Sequence, residues 1–340
     1  MNQASSVENE LPFVSVIMPV YNEASFVERS MRALLSQSYP KQKMEIIIAD
    51  GMSTDNTREV IKQTGEDAEV QIILIDNPGR IAPTGLNCAL ERAKGDIIIR
   101  VDGHCEIEGD YVSNCVNHLR GKKADGVGGP IETIGETIRA SAISLAMSST
   151  FGVGGSAFRT INDREMYVDT VAFPGYTREI IEKAGPFNEE LVRNQDDEYN
   201  YRIRKLGGRI LLSPDIRSRY YSRSTLKSLW RQYFQYGFWK VRVFQLHPRQ
   251  MSMRQFVPAI FVMSLLISIV FATFSSLGKW ALIILVASYL TANLAASLTV
   301  GLRKRPSVLP LLSISFGILH ISYGLGFLTG LFSFRNRWSK

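Results

Sequence analysis

The chain has 340 residues, 45 % of them hydrophobic, which is enough for one large or two ordinary domains with a sizeable core. Its formal charge of +7 is uneven: residues 241–340 hold ten Lys or Arg and no acid, leaving 29 basic against 32 acidic residues, a net of −3, in the first 240. Long apolar runs interrupt the cations of the tail, so free nucleic acid is a poor partner and an anionic membrane surface fits better.

Residues 1–11 form a polar tail without the apolar core of a signal peptide. Val14–Met18 reads as a first strand, with Pro19-Val20-Tyr21-Asn22-Glu23 as its exit loop. Ser25 and Glu28 have capping-box spacing, and Phe26, Val27, Met31, Leu34 and Leu35 give a helical apolar face. Glu45–Asp50 is a second strand, leaving into Gly51–Thr57, which has turn chemistry and a run of possible N-caps. Val70–Ile75 is a third strand and Thr84–Lys94 a helix.

Asp96–Cys105, DIIIRVDGHC, comes next. Three isoleucines and a valine predict a strand buried on both faces, ending in Asp102-Gly103-His104. A carboxylate and an imidazole two residues apart at a strand's carboxyl end can hold a divalent cation against a phosphorylated ligand, because that edge of an open α/β sheet is where ligands bind. Strands alternating with helices indicate a mostly parallel, Rossmann-like sheet over residues 12–130. No G-x-G-x-x-G follows the first strand, which argues against a dinucleotide dehydrogenase. Glu23, Asp50 and Asp55 in the exit loops suit a base and a ribose instead.

Beyond Ala124 the pattern turns irregular and glycine-rich, at Gly126, Gly128 and Gly129 and again over 151–155, so residues 131–222 are expected to build an acceptor pocket. Tyr167–Tyr176 reads as a short strand and turn, Arg178–Ala184 as a short helix. Asp196, Asp197 and Glu198 stand in the first turn of a helix running to about Leu206, where acids complement the helix dipole. Within 223–255, Thr225–Leu246 interleaves aromatics with Lys227, Arg231, Lys240 and Arg242, as in an amphipathic helix lying in a membrane interface; an ordinary core helix is the competing reading.

Three apolar segments follow, 256–274, 280–298 and 308–332, each long enough for a ~30 Å hydrocarbon core and none with an acid. The first two predict a hairpin that returns Arg303-Lys304-Arg305 to the cytosol. The third, glycine-rich and containing His320, is expected to cross, with a re-entrant segment as the alternative. The three cysteines, Cys88, Cys105 and Cys115, suggest reduced thiols; a zinc site of His104 or Cys105 with Cys115 and His118 matches no common finger spacing.

PVYNE at 19–23, DGMSTDNT at 50–57, DGH at 102–104 and QDDEYNYR at 195–202 stand in an order and spacing that resembles the family 2 glycosyltransferases over about residues 11–240. RVDGHC and NQDDEYNYR, with the short apolar tail, are similar to the ExoA-like succinoglycan glucosyltransferase subgroup. The resemblance implies an α/β GT-A fold and an inverting transfer of one hexose, glucose from UDP-glucose, to a polyprenyl-linked oligosaccharide in exopolysaccharide biosynthesis. It implies a multi-pass inner-membrane protein with a cytoplasmic catalytic domain. It further implies Mg²⁺ or Mn²⁺ at Asp102 and His104, Asp196 as general base, Pro19, Tyr21, Glu23 and Asp50 around the nucleoside, Arg80 at the phosphates and Asp197 beside the substrate.

Three positions depart from the family pattern. Gly51 stands where a second acid is common, His104 where the metal motif usually ends in an acid, and Gln195 where Glu usually precedes the base. Two rival readings are a processive polysaccharide synthase of the same family and a non-catalytic membrane scaffold that binds nucleotide-sugars. Trp230-Arg231-Gln232 does not match the Q-x-x-R-W order of the processive enzymes.

Overall fold

The structure, a computed structural model, describes residues 11–121, 124–222 and 224–338. Its first part is a βα alternation: β1 (Val14–Val20), α1 (Val27–Leu35), β2 (Met44–Asp50), α2 (Thr57–Gly65), β3 (Gln71–Asp76), α3 (Ala82–Arg92) and β4 (Ile97–Arg100). Every residue of β2 and β4 is buried, as expected for β-branched runs covered on both faces. Then come β5 (Cys105–Ile107), α4 (Tyr111–Arg120), β6 (Gly126–Gly129) and β7 (Ile131–Ile134). The short helices α5 (Ile138–Met147), α6 (Thr150–Val153) and α7 (Ala157–Thr160) precede β8 (Met166–Tyr167), β9 (Ala172–Thr177), α8 (Arg178–Ala184), α9 (Gln195–Lys205), β10 (Ile210–Leu212) and β11 (Ser218–Tyr221). The chain ends in α10 (Leu226–Leu246), α11 (Val257–Ala272), α12 (Ser276–Lys304) and α13 (Leu309–Ser333).

Packing divides the chain into two compact units, one of residues up to Glu132 with Ile161–Tyr220, the other of Thr133–Thr160 with everything from Tyr221. Residues 133–160, expected in an acceptor half, therefore fold with the C-terminal helices. The first unit is built on an eight-stranded sheet of order β3-β2-β1-β4-β9-β6-β10-β8. β1 pairs in parallel with β2 and β4, β2 with β3, and β6 with β10, whereas β9 runs antiparallel to both β4 and β6 and β8 antiparallel to β10. The sheet is thus mostly parallel.

Two local expectations change. Ser25 caps nothing: α1 starts at Val27 without a side-chain cap, because the Glu23 carbonyl accepts the N–H groups of Phe26 and Val27 at 2.8 and 2.9 Å. The glycine run at 126–129, expected to be irregular, is the buried strand β6. A Cβ on Gly129 would lie 1.6 Å from the Ile216 carbonyl oxygen, so the glycines there admit close backbone neighbours within the sheet.

The second unit is helical. Met253–Ala272, Ser276–Lys304 and Pro306–Ser333 are long and apolar enough to cross a membrane. They are not alike: 11 % of each of the first two apolar windows is buried, against 39 % of the third. α11 and α12 expose Ile260, Ile267, Val270, Leu277, Trp280 and Ile284, an apolar surface of the kind a membrane-crossing helix presents. α13 buries Leu312, Ser315, Phe316, Leu319, Ser322 and Phe327 among its neighbours.

α10 lies along α13. A Cβ on Gly237 would meet the Tyr323 carbonyl oxygen at 2.0 Å, and one on Gly326 the Phe234 carbonyl oxygen at 2.0 Å, so two glycines let the backbones touch. Leu229, Tyr233, Val241 and Val243 of α10 are buried, while Lys227, Trp230 and Arg231 stay exposed. One face of α10 is therefore a packed core face, and its basic residues near the start occupy the other.

Candidate active site

The order β3-β2-β1-β4 places a topological switch between β1 and β4, the place in an open α/β sheet where the loops leaving neighbouring strands diverge and open a crevice. The loops that leave β1, β2 and β4 carry the expected residues, and hydrogen bonds tie the first two together. The Asn22 N–H donates to Ser53 Oγ at 2.9 Å and the Thr54 N–H to Asn22 Oδ1 at 2.8 Å. The Glu23 N–H donates to Thr57 Oγ1 at 2.8 Å, and Asp55 accepts from the N–H groups of Ala24 and Thr57. Asp55 is thereby held below the usual carboxylate range: desolvation opposes this, but the Thr57 hydroxyl and the Ala24 and Thr57 N–H groups together outweigh it.

Asp50 is fully buried and already engaged. Its carboxylate accepts from the Ser53 hydroxyl at 2.5 Å, the Ser53 N–H at 3.1 Å and Arg58 at 3.0 Å, and Arg58 also pairs with Asp76 at 2.7 Å. Asp50 thus shapes the 51–57 loop. Tyr21 is 45 % exposed beside it. A Cβ on Gly51 would sit 3.2 Å from Tyr21 Cβ, which gives a steric reason for glycine at this point. Pro19, the last but one residue of β1, stands in register with Ala49. Arg80 is exposed, with a left-handed φ of 59° and its N–H on the Asn77 carbonyl.

Glu23, expected around the nucleoside, has its Oε1 2.9 Å from Nδ1 of His104. An ionised carboxylate can only accept, so this contact puts a ring proton on Nδ1, and in the neutral ring Nε2 carries the lone pair. Tyr220 packs edge-on against the imidazole, with centroids 5.3 Å apart. A carboxylate orienting a histidine in this way is the usual support of a metal-ligating imidazole. Among the described residues no three His, Cys, Asp or Glu side chains gather as a metal site. The donor set therefore fits a cation held by one carboxylate, one imidazole and oxygens from a ligand, and not a cation caged by protein.

Arg100 is the residue sequence reasoning missed. It ends the isoleucine strand β4, buried, and side-chain alternation sets it on the same face as Asp102. Its Nε donates to Asp102 Oδ1 at 3.0 Å and its Nη2 to Asp102 Oδ2 at 3.2 Å. Its Nη1 lies 3.9 Å from Asp196 Oδ2. One guanidinium therefore joins the proposed metal acid to the proposed base, across more than ninety residues of sequence. Burial disfavours its charge, yet Asp102 and Asp196 hold it above the ordinary arginine range. The signal was legible: an arginine inside a buried apolar strand needs a buried partner.

The three acids of α9 separate into different tasks. Asp196, 42 % exposed at the side chain, faces Arg100 and accepts the Asp197 N–H at 2.9 Å. Glu198 is buried and takes two hydrogen bonds from Arg202, both 2.9 Å, while Arg202 also donates to the Pro186 carbonyl at 2.9 Å. Asn194 enters the helix with a left-handed φ of 62°. One turn below Asp196, the buried Asn200 accepts from the Tyr176 hydroxyl at 2.7 Å and donates to Thr170 Oγ1 at 2.8 Å. Tyr176 lies on β9, whose antiparallel partner is β4, so the same strand pair that carries Arg100 also anchors the face bearing Asp196. The cysteines are free thiols; Cys105 and Cys115 are buried and His118 is 2.9 Å from Asp215, and among the described residues they gather into no group of three metal-ligating side chains.

The profile of the family described as Glycosyl transferase family 2 matches residues 15–185, half of the chain. The chain is 29 % identical to the succinoglycan biosynthesis protein ExoA of Rhizobium meliloti, over 95 % of this chain and 96 % of that one. It is 32 % identical to a dolichyl N-acetyl-α-D-glucosaminyl phosphate 3-β-D-2,3-diacetamido-2,3-dideoxy-β-D-glucuronosyltransferase of Methanococcus voltae, over 66 % of this chain and 72 % of that one. Among solved structures, the mannosyltransferase PcManGT from Pyrobaculum calidifontis, in complex with GDP-Man and Mn²⁺, superposes with a TM-score of 0.61 at 19 % identity, covering 96 % of this chain and 89 % of its own. The S. aureus TarS 1–349 complex with UDP-GlcNAc gives 0.52 at 15 % identity, covering 96 % and 92 %. The mostly parallel sheet, the β1/β4 switch point and the matched profile lead to one assignment: the chain belongs to glycosyl transferase family 2 and is a glycosyltransferase of the GT-A fold.

Proposed function

We propose that this glycosyltransferase is membrane-bound and inverting, and that it moves one hexose, glucose from UDP-glucose, onto a polyprenyl-linked oligosaccharide in polysaccharide biosynthesis at the cytoplasmic face of the inner membrane. The observation that carries the mechanism is the meeting of Asp102 and Asp196 on Arg100 at the carboxyl end of β4. An acid for the leaving-group side and an acid for the acceptor side are what a direct displacement needs. Similarity to ExoA, named for succinoglycan biosynthesis, supports the pathway class, and the three apolar helices support the membrane.

In this reading Asp102 and Nε2 of His104, oriented by Glu23, would hold Mg²⁺ or Mn²⁺ beside the donor diphosphate. A cation bound there would offset the charge developing on the departing diphosphate. PcManGT, similar in fold, was solved with Mn²⁺. Tyr21 and Pro19 flank the nucleoside, Asp50 fixes the loop beside it through Ser53 and Arg58, and Arg80 reaches the phosphates. Asp196 takes the proton of the acceptor hydroxyl as that oxygen attacks the anomeric carbon from the face opposite the diphosphate. Asp197 lines the acceptor side.

The test is transfer by the full-length protein in nanodiscs, with Mn²⁺ or Mg²⁺, a lipid-linked saccharide and UDP-glucose, with GDP-mannose and UDP-GlcNAc as competing donors. UDP release with a product one hexose longer is expected. No release from any donor would overturn the reading, and products growing by many residues would favour a processive synthase.

A further inference from the structure

Arg100 occupies Asp102 more fully than a neighbouring charge would. Its Nε donates to Oδ1 at 3.0 Å, and its Nη2, 2.9 Å from Oδ1, donates to Oδ2 at 3.2 Å, so both oxygens already accept a charged hydrogen bond. Its third nitrogen is turned to Asp196 Oδ2 at 3.9 Å. The side chain is 8 % exposed, so water screens these contacts little. A carboxylate has about four lone-pair positions, and two of the four at Asp102 are taken by the guanidinium. A divalent cation arriving alone meets a half-used carboxylate, one imidazole and a fixed positive charge beside them.

Resting on the proposed metal role of Asp102, we propose that Arg100 is a positioning residue that makes the metal site conditional on the nucleotide. It is a resident cation that neutralises Asp102 and orients it, and it keeps the divalent ion from binding until a diphosphate brings further oxygens and negative charge. Because the same guanidinium faces Asp196, the acid on the leaving-group side and the acid on the acceptor side are held by one charge. Sugar-nucleotide loading at Asp102 then bears directly on the group that faces Asp196. No other described arginine or lysine pairs with either carboxylate.

The experiment measures Mn²⁺ binding to the full-length protein in detergent by electron paramagnetic resonance titration, without nucleotide and with saturating UDP or GDP. For the unaltered protein, Mn²⁺ is expected to bind weakly alone and about a hundredfold more tightly with nucleotide. In Arg100→Met, Mn²⁺ binding without nucleotide is expected to strengthen about tenfold or more, since a unit charge within a few ångströms has been removed. Arg100→Lys, which keeps the charge and loses the fork, should fall between the two. A gain in affinity cannot come from general damage to the fold, and adding Asp102→Asn to Arg100→Met should abolish it.

Unchanged or weakened Mn²⁺ binding in Arg100→Met overturns the proposal. If that variant fails to fold, Arg100→Lys and Arg100→Gln decide it by the same direction of change. An unaltered protein that binds Mn²⁺ equally with and without nucleotide overturns it as well. Failure of the underlying metal reading looks different: the unaltered protein then binds no Mn²⁺ even with UDP or GDP.

Discussion

The two units bury polar groups in opposite ways. In the sheet unit the buried polar side chains include charges, each with partners: Glu45 accepts from the Ser15 hydroxyl at 2.6 Å and the Lys94 N–H at 2.8 Å, Asp50 is held by Arg58, Glu198 by Arg202, and Arg100 holds Asp102. In the helical unit they are neutral: Asn293, Ser297, Ser315 and Ser322 are buried, with Lys240 the one charged exception among the described residues. A charge is worth burying where it does chemistry or fixes a loop beside chemistry. In the apolar helices the same role falls to small hydroxyls and amides, which lose less when a partner is missing.

The comparison breaks if a charge at the sheet edge can be neutralised at no cost. Asp196→Asn is expected to have the largest effect, a fall in turnover of about 10²–10⁴-fold. Nucleotide binding, followed by calorimetry with UDP and Mn²⁺, should remain nearly intact; its loss would move Asp196 out of the acceptor side. Asp102→Asn should behave in reverse, losing metal-dependent nucleotide binding along with transfer.

A loop-fixing pair should cost stability. Arg58→Met leaves Asp50 buried with only Ser53, and about 2 kcal/mol of unfolding free energy should be lost. That is less than a fully buried pair would cost, because Arg58 is 32 % exposed and water screens part of the interaction. Urea unfolding followed by the fluorescence of the full-length protein reads the shift. A midpoint unchanged within error would mean that Asp50 does not need its cation. Gly326→Ala probes the helical unit at its tightest point, where a Cβ would press on the Phe234 carbonyl oxygen at 2.0 Å. The helices must part, at about 1–3 kcal/mol, seen as a lower thermal midpoint in detergent.

How much of this was legible in sequence follows the same divide. The strands β1, β2 and β4 and the helices α8, α9 and α10 could be read because their periodicity is local and strong. Asp102 and Asp196 could be named from their motifs, but their meeting on Arg100 is a tertiary fact that no window of sequence contains. The bond of Glu23 to His104, 81 residues away, is a tertiary fact of the same kind. The β6 glycines misled because glycine usually marks a turn, and only the Ile216 carbonyl shows why side chains are excluded there. The placement of 133–160 with the C-terminal helices was hidden because α5 is apolar on several sides, a composition that fits either unit.

The smallest expected effect tests the neutral side of the comparison. Asn293 on α12 accepts from the hydroxyls of Ser297 at 3.2 Å and Ser313 at 2.8 Å, and donates to the Ser313 carbonyl at 3.1 Å. By count of hydrogen bonds it is as well connected as Asp50. Asn293→Leu nevertheless should cost only about 1 kcal/mol in the thermal unfolding of the detergent-solubilised protein. The serine hydroxyls it abandons can turn to the carbonyls one helical turn back, as Ser315 and Ser322 already do with Leu311 and Ile318. Leucine also fills much of the vacated volume with apolar contact. Asp50 has no such exit, since its carboxylate only accepts and no neighbouring carbonyl can replace the donors and the positive charge of Arg58. A loss from Asn293→Leu as large as that from Arg58→Met would show that the two units do not differ in what their buried polar groups can tolerate.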